Sequence, residues 1–105
     1  MEIEIRIRNA SEIDFDAVRV VFPDRDEARF GPIPKGTASD FKGTNRAYRY
    51  AEIHVNAGGR EFTLQPYDYV GEQPLAPGRY SYVLGLDGNR LTIELEQEPR
   101  PAGPK

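Results

Sequence analysis

Isoleucines at positions 3, 5 and 7 alternate with Glu2, Glu4, Arg6 and Arg8, the period-two pattern of a strand with one buried and one wet face. Asn9-Ala10-Ser11 ends this strand in a turn-prone stretch, and it is also an acceptor sequon for N-glycosylation in a secreted eukaryotic protein. A second strand is predicted from Phe15 to Phe22. Val18, Val20 and Phe22 share one face; Phe15, Ala17 and Val21 share the other, interrupted by Arg19. Two partly apolar faces mark a strand inside a sheet rather than at its rim. Glu27 to Gly31 predicts a short strand with Ala28 and Phe30 inward, and Pro32 and Pro34 then favour an edge or loop. Lys35-Gly36 and Lys42-Gly43 read as turns. The connection from Pro23 to Asn45 is long for a compact domain, so it is expected either to cross between sheets or to serve a function.

Two hairpins carry most of the register. Arg46 to Asn56 and Arg60 to Gln65 turn at Gly58-Gly59, which sets Val55 against Phe62, Ile53 against Leu64 and Ala51 against Pro66 on the core side. The opposite side then pairs His54 with Thr63, Glu52 with Gln65, Tyr50 with Tyr67 and Tyr48 with Tyr69. Pro66 lacks an N–H and confines its segment to an edge or bulge, which limits how far this ladder runs. The last hairpin spans Tyr80 to Gln97. A turn on Gly88-Asn89 is preferred over Asp87-Gly88, because it places Asp87 opposite Arg90, Leu86 opposite Leu91, Leu84 opposite Ile93 and Tyr82 opposite Leu95. Each large side chain on that face is worth roughly 1.5 to 3 kcal/mol when fully buried, so the face requires a cover. Leu75, in the Val70–Gly78 loop, is expected to plug the end of the core.

Strands at this spacing, with no convincing helix and no internal repeat, predict an all-β fold: a single antiparallel β-sandwich of six to seven strands, fibronectin-like, immunoglobulin-like or transthyretin-like, with a small β-barrel as the alternative. Residues 1–98 form the domain, and the proline-rich run 99–105 reads as a flexible tail.

Composition narrows the function classes. A hydrophobic fraction of 38% beside 30% charged residues suits strands with one wet face. The chain has no cysteine, which excludes disulfides, thiolate metal sites and cysteine nucleophiles. A net charge of -3, scattered along the chain, argues against general nucleic-acid binding. No apolar run is long enough to span a membrane, and Met1 is followed directly by the charged alternation, so no export signal is read there.

The chemistry-bearing residues are few. His54 is the only histidine, flanked across the expected strands by Glu52 and Thr63; it reads as a surface strand residue rather than a general base. Ser11, Ser39 and Ser81 have no nucleophile motif around them. Asp14 with Asp16, and Asp24 with Asp26 and Glu27, are the candidate Ca²⁺ groups. Neither has the ligand spacing of a recognised calcium loop, so solvated carboxylates are expected, with no metal and no cofactor. The aromatic group is more distinctive: Tyr48, Tyr50, Tyr67 and Tyr69, flanked by Arg46, Arg49 and Asp68, would present flat rings with polar tips on an exposed face. The competing reading makes some of these rings ordinary corner packing with a wet hydroxyl.

The segments FGPIPKGTASDF, YRYAEIHVNAGG and PLAPGRYSYVLGL, between Phe30 and Leu86, together resemble small exported bacterial β-sandwich proteins and lipoprotein-like domains of unassigned function. The resemblance implies an extracytoplasmic, periplasmic or secreted, non-enzymatic sandwich and transfers no functional residue. The resulting expectation is a binding or assembly module. It would contact a partner protein, or a second copy of itself, through a sheet edge (Phe30–Pro34 or the strand ending at Pro66) or through the tyrosine face. A carbohydrate-binding module using the same tyrosines is the alternative.

Overall fold

The computed structural model describes residues 3–22, 26–65 and 74–98. These contain eight strands and no helix: β1 (Ile3–Asn9), β2 (Ala17–Val21), β3 (Glu27–Phe30), β4 (Lys42–Thr44), β5 (Glu52–Ala57), β6 (Arg60–Leu64), β7 (Gly78–Asp87) and β8 (Arg90–Glu98). They form two four-stranded sheets, ordered β4-β1-β7-β8 and β3-β2-β5-β6. A single cluster of buried side chains from both sheets makes the core, with Ile3, Ile5, Ile7, Tyr82 and Leu84 from the first sheet meeting Val18, Val20, Ile53, Val55 and Phe62 from the second.

Both hairpins fold in the expected register. Gly58 and Gly59 take φ of 58° and 78°, and Gly88 takes 64°, the left-handed conformation that two-residue hairpin turns need and glycine supplies without a Cβ clash. Val55 faces Phe62 and Ile53 faces Leu64; Asp87 faces Arg90, Leu86 faces Leu91, Leu84 faces Ile93 and Tyr82 faces Leu95. β2 lies between β3 and β5, as its two half-apolar faces require. Leu75 packs against the core and its N–H donates to the Ala47 carbonyl at 2.8 Å.

Four features depart from the sequence pattern. The described residues form eight strands, not six or seven. The sheets are not wholly antiparallel, because β1 runs parallel to β7 from Ile3↔Gly78 to Asn9↔Leu84. Side-chain alternation fixes which face of β1 is buried but carries no information about partner direction. Between β1 and β7 the chain crosses to the second sheet for β2 and β3, adds β4 to the first and crosses again for β5 and β6, more than the long connection a parallel pair needs. Lys42-Gly43 is not a turn but the start of β4, which supplies the main-chain partner for Ile3–Ile5 of β1. Phe15 is buried in the core with Val18 and Val20, although strand parity groups it with Ala17 and Val21 on the opposite face of β2. The alternation breaks at Asp16, whose N–H donates to Asn56 O at 2.7 Å, so Phe15 stands outside β2, bridges Ile33 and turns into the core.

The long connection crosses between the sheets, as its length implied. After Ile33 bridges Phe15, the Lys35-Gly36 turn leads to Thr37–Ser39, which lies beside the end of β1: Asn9 N–H donates to Thr37 O and Ser39 N–H to Ile7 O. The Asn9 side chain organises this corner. It is fully buried; its amide donates to Ile13 O at 2.8 Å and Ile33 O at 2.9 Å, while its Oδ1 accepts from Ser11 N–H and Ser11 Oγ–H. The sequon is therefore a structural Asx motif, and the folded domain presents no amide at Asn9 for glycosylation. Asn9→Ala removes four hydrogen bonds at this corner, two donated by the amide and two accepted by Oδ1, and should lower the unfolding free energy by about 2 to 3 kcal/mol, with Ser11→Ala costing about 1 kcal/mol, both read from urea denaturation midpoints.

Candidate functional site

Most chemically capable groups are already engaged in holding the fold. On the outer face of the first sheet, fully buried Ser81 donates to Glu98 at 2.8 Å and accepts from Arg6 Nε at 2.9 Å, and Arg6 also pairs with Glu98 at 2.8 Å. Phe41 lies between the guanidinium groups of Arg6 and Arg79, at 4.9 and 5.2 Å from its ring centre. This face is covered by its own chain. Asp14 accepts from Lys35 N–H and Asp16 from Gly58 N–H, both at 2.9 Å, so each carboxylate caps a different turn. Asp26 accepts from Glu27 N–H at 3.1 Å; Asp24 lies outside the described residues. No group of three or more metal-ligating side chains occurs among the described residues.

On the outer face of the second sheet, His54 Nε2 is 2.6 Å from Glu52 Oε2, and Thr63 Oγ1 is 3.4 Å from Nδ1. Alternation along β5 and the β5–β6 register bring these three together, and the carboxylate orients the ring. The hydroxyl contact is long for a hydrogen bond. The His54 ring is largely covered, while Glu52 and Thr63 reach solvent.

A different arrangement forms where the chain passes from β4 to β5. Ala47 and Ala51 are fully buried, small enough for the segment between them to pack against the core. It is pinned by Leu75 N–H on Ala47 O and by the buried Tyr82, whose hydroxyl donates to Tyr48 O at 2.7 Å. β5 begins only at Glu52, so Tyr48 and Tyr50 belong to this crossing segment and not to an extension of the strand. Both rings are half-buried, while Arg46 and Arg49 are exposed; Tyr67, Asp68 and Tyr69 lie outside the described residues.

Arg49 and Tyr50 form one wall of a recess of about 420 Å³, and Ile93, Glu94 and Leu95 of β8 form the other. Leu91 of β8 is buried, but Ile93 and Leu95 are only half-covered. Neither Arg49 nor Glu94 joins an ion pair among the described residues. The recess thus combines apolar surface, an aromatic ring and a guanidinium, with the Glu94 main chain at its rim and the Glu94 side chain alternating to the other face of β8. The arrangement suits binding: covering the remaining apolar area of Ile93 and Leu95 would contribute a part of the roughly 1.5 to 3 kcal/mol that full burial of each yields. The sequence pointed to Tyr50 and Arg49 but not to their counterpart on β8. Ile93 and Leu95 alternate like any core strand, and only the end of the sheet at β8 leaves them part-open.

No protein-family model and no curated protein matches this chain. Among solved structures it is similar to a protein from Eubacterium rectale determined by NMR, with a TM-score of 0.67 and 13% sequence identity over 95% of this chain and 93% of that one. At that identity the likeness shows a shared all-β fold. No helix among the described residues is long and apolar enough to cross a membrane.

The Tyr82 hydroxyl holds one wall of the recess in place. Tyr82→Phe should cost about 1 kcal/mol in urea denaturation, and it should speed amide hydrogen exchange at Arg49 and Tyr50 while leaving β1 and β2 protected.

Proposed function

We propose that this chain is a non-catalytic β-sandwich module, of the transthyretin-like or immunoglobulin-like kind, that binds or assembles with a protein partner through the sheet edge beside Tyr50. The observation that carries this reading is the recess at the end of the first sheet, where half-buried Ile93 and Leu95 meet Tyr50 and Arg49. Two other considerations favour it. The outer face of the first sheet is occupied by the Arg6–Phe41–Arg79 stack, and the carboxylates at 14 and 16 are spent on turn caps. Tyrosine and arginine beside part-open aliphatic side chains are the composition of an interface anchor. Of the edge candidates read from the sequence, the strand ending at Pro66 falls on β6 at the rim of the second sheet, whereas Phe30–Pro34 is engaged at Ile33, whose N–H and carbonyl both bond Phe15. An extracytoplasmic setting accords with the resemblance to exported β-sandwich domains.

A second reading, carbohydrate binding, is favoured by one observation: the recess holds a ring for stacking on a sugar face together with a guanidinium for its hydroxyls. Selection of phage-displayed random peptides on the purified domain, run beside a glycan array, separates the two. A protein-binding module should enrich peptides whose binding falls at least tenfold in Tyr50→Ala and Arg49→Ala variants, and should give a blank array. Glycan signals lost in the same variants would instead establish the sugar reading.

A further inference from the structure

We infer that the occupant of this site is an extended segment of another protein that adds to β8 as a new strand and alternates basic residues on its outer side with apolar or aromatic residues on its inner side. The inference rests on the binding reading above and names its partner's chemistry.

The main chain comes first. The two-residue turn makes Asp87↔Arg90 the close, doubly hydrogen-bonded pair of the β7–β8 ladder. Alternation along an antiparallel ladder then points the N–H and C=O groups of Leu91, Ile93, Leu95 and Gln97 away from β7, toward the side on which the described sheet has no further strand. At the turn end this side is closed, because Arg60 Nη2 donates to Asn89 Oδ1 at 2.6 Å and ties the two hairpin tips together. Burial decreases from Leu91 to Ile93 and Leu95, so the opening lies along the second half of β8.

Side chains then choose the partner. The inner side of an added strand meets Ile93, Leu95 and the Tyr50 ring, with Arg49 on the opposite wall; a cation entering there would face Arg49, whereas an aliphatic or aromatic side chain packs on the aliphatic pair and under the guanidinium. The outer side meets Glu94, Glu96 and Glu98. Glu98 is committed to Arg6 at 2.8 Å; Glu96 reaches Arg8 only at 3.8 Å across exposed surface, and Glu94 has no ion pair among the described residues. Lysines or arginines at alternate positions complement this row. A second copy does not, because the turn end is closed by Arg60 and pairing is confined to the second half of β8. Antiparallel β8–β8 pairing centred on Glu94 places Glu94 against Glu94; centred on Leu95 it sets Glu94 against Glu96, and centred on Glu96 it sets Glu96 against itself. Like charges directly opposite one another oppose pairing, so the glutamates blunt this edge against self-association.

The test uses three capped heptapeptides and the ¹⁵N-labelled domain: lysine alternating with valine and one central phenylalanine, the same peptide with glutamate for lysine, and the lysine peptide rearranged in charge and apolar blocks. The alternating lysine peptide should shift and protect from exchange the amides of Ile93, Leu95 and Gln97, bind at least tenfold tighter than the other two, and weaken with added salt. Glu94→Lys combined with Glu96→Lys should invert the preference between the lysine and glutamate peptides, with unchanged β1 and β2 resonances certifying the fold. Equal binding of the acidic and basic peptides, shifts confined to the glutamate side chains' face with no amide protection in β8, or no binding, would each overturn the inference. Peptides enriched on phage that map to β3 or β6 would overturn it too, yet leave the binding-module reading standing. Failure of every displayed peptide and of the three heptapeptides would remove both.

Discussion

The Asn9 carboxamide sits where the chain must change sheets, and the architecture depends on how that change is satisfied. β1 is an inner strand, flanked by β4 and β7, and the next strand lies in the opposite sheet. A chain that leaves an inner position abruptly strands buried carbonyls at the corner, and unsatisfied polar groups there are expensive. One side chain meets several of these demands at once, donating to Ile13 O and Ile33 O and accepting twice from Ser11. Its main chain does likewise, donating to Thr37 O and accepting from Gly36 N–H. The corner thereby joins the exit from β1, the approach to Phe15 and the long connection that returns as β4. Fully satisfied polar networks of this kind specify one arrangement more sharply than apolar packing alone.

From that corner follows an asymmetry between the two sides of the molecule. The long connection runs beside β1 through Thr37–Ser39 and β4, and the Lys42 ammonium sits 5.6 Å from the Phe30 ring, so the β3/β4 side is closed by chain already present. On the opposite side β6 and β8 are tied at their turns by Arg60 and Asn89, but Ile93 and Leu95 further along β8 stay half-covered. The recess is the place where covering runs out. Its position has a structural origin and needs no specialised catalytic group, which is why binding is the economical reading of it.

Much of the fold could be read directly from residues. The Gly58-Gly59 and Gly88-Asn89 turns with their flanking alternation determined both hairpin registers, because turn geometry and one-face burial together leave no room for a one-residue slip. The candidate site was only half legible. Arg49 and Tyr50 stood out by composition, but their expected placement on an extended β5 face failed, since the strand begins at Glu52 and Ala47 and Ala51 draw the preceding segment into the core. Local alternation of Tyr48 and Tyr50 looks the same for a strand as for an extended crossing segment. Phe15 misled for a similar reason: parity along the chain holds only while the strand is unbroken, and the Asp16 hydrogen bonds end it.

By itself the sequence determined the class of the fold, the faces of β1, β3, β7 and most of β2, and the two hairpin turns, because these depend on local periodicity and on backbone conformations few residues tolerate. Only the tertiary structure decided that β1 pairs in parallel with β7, that Asn9-x-Ser11 is a buried junction, and that β8 is an edge facing Tyr50. Those outcomes depend on which segments meet across long stretches of chain. Partner choice of that kind is settled by the mutual burial of whole surfaces and by the satisfaction of main-chain groups at their junctions, and no local pattern encodes it.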